Sequence, residues 1–238
     1  IADPLVAFEQ RTGDIGAPLR RLYSLSKGDR DTFAAREVYQ LLVDEAERGS
    51  AFAMCLCSRL SLDGWGTEKS AAVSFAWASR AAASNYAPAY FELGRHFEQG
   101  IGVAIDLDRA RTLYDQAVNS GFGFAAYHLA LANCKGTLGE KNIASAFRYA
   151  EIAADLGESF GAALLAWWYE EGDGVERDEA AAVRWHEKAV QLGNFYSAFH
   201  LGMAYALGRL GLPIDKEESE RYLALSEVLS EKAGRLPE

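Results

Sequence analysis

The sequence predicts an all-α chain: a right-handed α-solenoid of about six helix-turn-helix units of 36 residues, with capping helices. Two glycine series carry the prediction. One stands at Gly28, Gly64, Gly100, Gly136, Gly172 and Gly208; the other at Gly13, Gly49, Gly121, Gly157 and Gly193, with Asn85 in its one gap. Two interleaved series without slippage mean one supersecondary unit copied along the chain. Composition agrees. Half of the residues are apolar and only 5 are proline, which suits short helices that bury their faces on their neighbours.

The expected boundaries are a capping helix over 1–16, six repeats at 17–52, 53–88, 89–124, 125–160, 161–196 and 197–230, and a tail over 231–238. Asp3-Pro4 reads as an N-cap followed by proline at the first helical position, which starts a lone helix closing at Gly13. In each repeat a first helix opens on a small residue: Ala17, Ala53, Ala89, Ala125, Gly161 or Ser197. Four residues on, Leu93, Leu129, Leu165 and Leu201 each precede a small residue (Gly94, Ala130, Ala166, Gly202), a knob beside a hole. A glycine of the first series then ends the helix in the left-handed conformation. Ser70, Asp106, Asn142, Asp178 and Asp215 are good N-caps for the second helix. That helix alternates small and aromatic residues, as in Ala110, Tyr114, Ala117 and in Ala182, Trp185, Ala189. The loops from Gly136 to Gly139 and from Gly208 to Gly211 hold one residue more between their glycines than the loop from Gly100 to Gly102. From Asp215 to Lys232 a longer, charged helix closes the stack.

The net charge of −10 argues against nucleic acid, whose phosphates need a basic stripe, and against an anionic membrane surface. Acidity of this size also simply keeps a protein soluble. No apolar run approaches the ~18 residues of a membrane span. The chain opens at Ile1 rather than methionine, and Asp3-Pro4 suits a processed, exported protein. The expected location is therefore the periplasm, with the cytoplasm as alternative. Three cysteines are an odd count. Cys55 and Cys57 point about 200° apart on a helix, so no disulfide framework is expected.

Chemistry is sparse. His128 and His200 hold equivalent positions two repeats apart, about 20 Å at ordinary helix spacings. That is too far to share a zinc ion, whose ligands lie near 2 Å. His96 and His186 read as partly buried hydrogen-bonding residues. Glu98 and Glu170 are the one plausible carboxylate pair, also two repeats apart and beyond the under-10 Å separations of glycoside hydrolysis. No histidine falls in register with Cys55 to activate it. No strand precedes the Gly-x-Gly sequences, so they are not nucleotide fingerprints. The expectation is no enzyme, no metal and no cofactor; an enzyme acting on cell-wall material is the rival class.

A binding surface is easier to place. With the first helices lining a concave side, their third, seventh and tenth residues share a face. The expected partner-binding residues on it are Tyr23, Arg59, Phe91, Arg95, Glu98, Tyr127, Leu131, Trp167, Glu170, Phe199 and Met203. Aromatic and arginine side chains anchor protein interfaces. Tight curvature would instead pack the same residues against one another, and both readings stand. Glu170, Glu171, Asp173, Glu176 and Asp178 form an acidic edge suited to a basic partner, or are plain solvated charge.

Leu93-Gly94, Gly100-Ile101-Gly102-Val103, Asp106, Arg109-Ala110, Tyr114, Ala117 and Gly121 resemble the signature of the Sel-one-like repeat family, relatives of tetratricopeptide repeats. Tyr169, Gly172-Asp173-Gly174-Val175, Asp178, Ala182, Trp185 and Gly193 do so again, and the likeness covers roughly 17–230. The resemblance implies protein–protein scaffolding. In some bacterial members it implies immunity to secreted toxins of rival cells, type VI phospholipase effectors among them. The expected role is thus a non-catalytic scaffold or adaptor, monomeric, with a periplasmic immunity protein as alternative. The expected partner is a toxin effector or a secretion or cell-envelope component. Cysteine-rich members tie their two helices with disulfides, and this chain lacks those cysteines.

Overall fold

A helix forms wherever the chain supplies an N-cap, a run of alanine and leucine, and a glycine stop. The computed structural model describes residues 33–234, and among them every regular element is an α-helix. Helix α1 (Phe33–Glu47) precedes five hairpins: α2 (Ala51–Asp63) with α3 (Ala71–Ala82), α4 (Ala87–Gln99) with α5 (Leu107–Asn119), α6 (Gly123–Lys135) with α7 (Ile143–Asp155), α8 (Ser159–Glu171) with α9 (Glu179–Gln191), and α10 (Phe195–Leu207) with α11 (Lys216–Gly234). The expected capping helix over 1–16, the first half of the 17–52 repeat with Tyr23, and the tail after 234 lie outside the described residues.

The first helix of each hairpin starts two residues earlier than expected. Extended residues at Ser50, Tyr86, Phe122, Glu158 and Asn194 set the start, and the side chains of Ser50 and Asn194 accept from the N–H groups of Ala53 and Ser197. Ala53, Ala89, Ala125, Gly161 and Ser197 therefore sit in the first turn, fully buried. The small residue marks a packing contact rather than the helix opening. A Cβ on Gly161 would stand 2.5 Å from that of Ala153 on α7.

The second-helix caps fall where expected. Ser70, Asp106, Asn142 and Asp178 each accept from the N–H three residues on, and Asp215 accepts from Glu217 and Glu218. Gly64, Gly100, Gly136, Gly172 and Gly208 end the first helices with φ between 65° and 76°. One backbone bond recurs across each turn. The cap N–H donates to a carbonyl near the end of the first helix: Ser70 to Ser61, Asp106 to Phe97, Asn142 to Asn133, Asp178 to Tyr169 and Asp215 to Tyr205. It pins the two helices of a hairpin together.

Successive hairpins meet through the second loop glycine. A Cβ on Gly66 would stand 2.1 Å from the carbonyl oxygen of Ala35, and one on Gly102 2.2 Å from that of Ala71. These two loops thus lie directly on the helix that closes the repeat before each. In the two loops with an added residue, that residue is Leu138 or Leu210, and both are buried.

The contacts divide the chain into two compact units, one ending at Ser120 and the other beginning at Gly121. In the first, Leu42, Cys57, Trp77 and a set of alanines form the core, and the ring of Tyr114 lies over Gly94, 2.7 Å from where a Cβ would be. In the second, Leu165 and Trp168 lead the core, with the Phe147 ring tilted by 33° and its centroid 4.6 Å from that of Trp168. Among the described residues no helix is long and apolar enough to cross a membrane.

Candidate interaction surface and a buried histidine–carboxylate cluster

In the second unit, the first helices carry large apolar side chains in water. Trp167 on α8 is 48% exposed and Phe199 on α10 53%, while Tyr127, Leu131 and Met203 are half-buried. Beside them runs a series that sequence reasoning missed. Phe124, Phe160 and Tyr196 are the second residues of α6, α8 and α10, spaced 36 apart, and all are exposed. Rings of Phe122, Phe124, Tyr127 and Phe160 follow one another at 6.2, 5.9 and 5.8 Å. Next to Tyr196 and Phe199, an open cavity of about 600 Å³ extends to Ser226 and Glu227 on α11. With helix starts read two residues late, these aromatics counted as loop. The signal that could have found them is their own period of 36.

The first unit treats its expected site residues differently. Phe91 is buried, its ring centroid 5.2 Å from that of Tyr114, so it belongs to the core and not to a groove. Glu98 accepts the Tyr114 hydroxyl at 2.6 Å; burial first, and then this carboxylate, push the phenol pKa upward. Arg95 pairs with Glu92 at 3.5 Å, and Arg59 is exposed. Both arginines border a small cavity of about 120 Å³ with Ser58, Ser74 and His96.

His96 Nδ1 lies 2.8 Å from the carbonyl oxygen of Ile101 and must donate to it, which leaves Nε2 as acceptor. The Ser58 hydroxyl donates to the Ser74 carbonyl, so the Ser74 hydroxyl is the donor that remains for Nε2 at 3.3 Å. Burial holds the His96 pKa below its usual value, the bond to Ile101 opposing. A serine on a histidine resembles a nucleophile and its base. Here Ser58, Ser74 and His96 are all at most 2% exposed, and the group orienting the imidazole is a backbone carbonyl. The trio is a polar knot in the core.

Glu170, expected on the groove, is buried within the second unit. Its Oε2 lies 3.4 Å from His200 Nε2 and 3.7 Å from His186 Nε2, and its Oε1 3.8 Å from Arg209. The two imidazoles stack at 4.6 Å and 19°. His186 Nδ1 meets the Ser197 hydroxyl at 3.2 Å. Burial, and then His200, push the His186 pKa down to about 3, so its imidazole is neutral at ordinary pH. Register pairs His200 with His128, but the histidine beside His200 is His186, from an unlike position of the preceding helix. The cluster joins the end of one first helix, the middle of its second helix and the next first helix.

Cys55, Cys57 and Cys134 are all free, the first two buried, and burial pushes both of those thiols up to about 12. Glu171, Asp173, Glu176 and Asp178 are exposed.

The Sel1 repeat, as a family model, matches residues 51–86, 87–122, 123–158, 159–194 and 196–226. The first four segments begin at the starts of α2, α4, α6 and α8. Three solved structures resemble this one. A Sel1 repeat protein from Oxalobacter formigenes is 26% identical, with a TM-score of 0.67 over 81% of this chain and 76% of that one. A protective antigen of uropathogenic Escherichia coli with an SLR fold is 23% identical, with a TM-score of 0.67 over 94% of this chain and 48% of that one. An immunity protein from Pseudomonas aeruginosa is 19% identical, with a TM-score of 0.62 over 90% and 81%. The last two likenesses are of fold alone, and this chain spans about half the length of the Escherichia coli antigen. Among curated proteins, no sequence matches.

Proposed function

We propose, because the chain belongs to the Sel1 repeat family, that it is a non-catalytic scaffold that binds a partner protein through its first helices. Sel1 repeat proteins generally mediate protein–protein interaction and are generally not catalysts. The observation that carries the proposal is the exposed aromatic set of the second unit: Phe124, Phe160, Trp167, Tyr196 and Phe199. Aromatic side chains held in water in a patch are what a partner surface covers, and they supply most of the energy of such contacts.

The test is a comparison of the wild-type chain with a Trp167→Ala/Phe199→Ala variant, each immobilised and offered extract of the source cell. A partner retained by the first and lost by the second, at unchanged helical content and melting temperature, supports the surface. Identical capture by both removes it.

A narrower reading is a periplasmic immunity protein that blocks a secreted antibacterial toxin, such as a type VI phospholipase effector. The fold-level likeness to the Pseudomonas aeruginosa immunity protein supports it. Export of the chain to the periplasm of cells producing a cognate toxin should restore their growth. Continued killing with the chain present there rejects this reading for that toxin.

A further inference from the structure

We infer that Glu170, His186 and His200 form a binding site for one divalent transition-metal ion of the zinc type, held where α8, α9 and α10 meet. Three observations carry it independently of the partner surface.

The first is geometry. One ligand atom from each side chain, Oε2 of Glu170 and an imidazole nitrogen of each histidine, lies within 4.8 Å of the other two. The two carboxylate–imidazole separations are 3.4 and 3.7 Å. Zinc holds nitrogen and oxygen ligands at about 2.0–2.2 Å in a tetrahedron, which puts neighbouring ligand atoms about 3.3–3.5 Å apart. The side chains need to close by only a few tenths of an ångström on the carboxylate side. His200, whose side chain is 38% exposed, has room to turn out of its stack on His186 and aim its nitrogen at the ion.

The second is unmet bonding. The side chains of Glu170 and His186 are each only 7% exposed. Glu170 Oε2 and His186 Nε2 have no hydrogen-bond partner among the described residues. Leaving such atoms unpaired in a dry interior is costly, so each calls for an explanation. A cation between them satisfies both at once.

The third is the surrounding shell. The Ser197 hydroxyl lies 3.2 Å from His186 Nδ1 and can accept its N–H when an ion beside Glu170 takes the Nε2 lone pair; histidine ligands are oriented in this way by their other nitrogen. Arg209 lies against Oε1, which leaves Oε2 to face the imidazoles. Two imidazoles with one carboxylate suit zinc, cobalt or nickel, whereas calcium and magnesium take oxygen ligands. Three protein ligands leave a fourth position on the side of His200, open to water or to a donor from a partner. The ion would clasp the end of one repeat to the start of the next.

The experiment uses the whole chain, dialysed against chelator and titrated with zinc chloride. Calorimetry should saturate at one ion per chain, and zinc at 100 times its Kd should raise the melting temperature by about 5–10 °C. Cobalt in place of zinc should give the visible absorption of a four-coordinate site. Glu170→Gln keeps the shape of the side chain, and His200→Ala shortens a half-buried one, so both variants should fold. Each should weaken zinc binding at least tenfold and abolish the cobalt spectrum. Absence of stoichiometric zinc binding by the wild-type chain overturns the proposal and leaves a metal-free cluster. Binding that survives in both variants overturns it as well, by placing the ion elsewhere.

Discussion

Replacing Gly102 by alanine tests whether the loop glycines join the repeats or merely turn the chain. Gly102 has φ +71°, and an added Cβ would stand 2.2 Å from the Ala71 carbonyl oxygen, where ordinary contact begins near 3.4 Å. Loop and helix would have to separate by about 1 Å, an overpacking that costs roughly 1–3 kcal/mol. The left-handed backbone adds about 1–2 kcal/mol for an L-residue, and alanine returns about 0.4–1 kcal/mol by restricting the unfolded chain. The expected loss is about 2–4 kcal/mol, or roughly 5–15 °C in melting temperature for a chain of this size. Gly121 is the control. Its φ is +86°, yet a Cβ there meets nothing within 4 Å, so Gly121→Ala carries only the backbone cost, about 1 kcal/mol. Urea unfolding followed by far-ultraviolet circular dichroism measures both. Equal losses in the two variants would falsify the claim that Gly102 is a junction between repeats.

Other outcomes are open to measurement. Leu165 is fully buried, so Leu165→Ala should lower stability by about 2–5 kcal/mol in the same urea assay. Half-exposed Trp167 should behave oppositely, Trp167→Ala changing stability by under about 0.5 kcal/mol. Iodoacetamide at mild alkaline pH should spare Cys55 and Cys57 in the folded chain, because their thiols are buried and their pKa values lie near 12. In urea, mass spectrometry should find both alkylated, and labelling of either in the folded state contradicts their placement. Burial keeps folded His96 neutral below the pH at which the unfolded chain takes up a proton. Stability should therefore fall as pH drops below about 6.5, by at most about 1.4 kcal/mol per pH unit from this group. Buried His186 adds to the same fall, so His96→Gln should make that part of the urea midpoint profile shallower without flattening it, and an unchanged slope would show that His96 is not a source of it.

Period and caps were legible in the sequence because both are local. A left-handed glycine, or an aspartate bonded to the N–H three residues on, depends on little beyond its own turn. Even Asn85, the one break in its series, adopts a positive φ of 55°. The starts of the first helices were less legible. Tyr86 and Phe122 begin their helices without a side-chain cap bond, and aromatic residues there give no cap signal. The expected site suffered from the same offset, and from a limit of register reasoning. Counting along a helix gives Phe91 and Phe199 the same place, yet Tyr114 covers one and the other faces water. The cluster of Glu170, His186 and His200 was hidden because its members occupy unlike positions of consecutive helices, a relation visible only once the hairpins are stacked.

The seats of Gly66 and Gly102 on the helices before them have a consequence for how such a chain changes length. Gly66 meets Ala35 and Gly102 meets Ala71, both at a separation of 31 residues. Copying or excising a whole period in the gene leaves that separation intact, so a joint of this kind finds its mate without redesign. Reach along a target can then grow or shrink in steps of one hairpin.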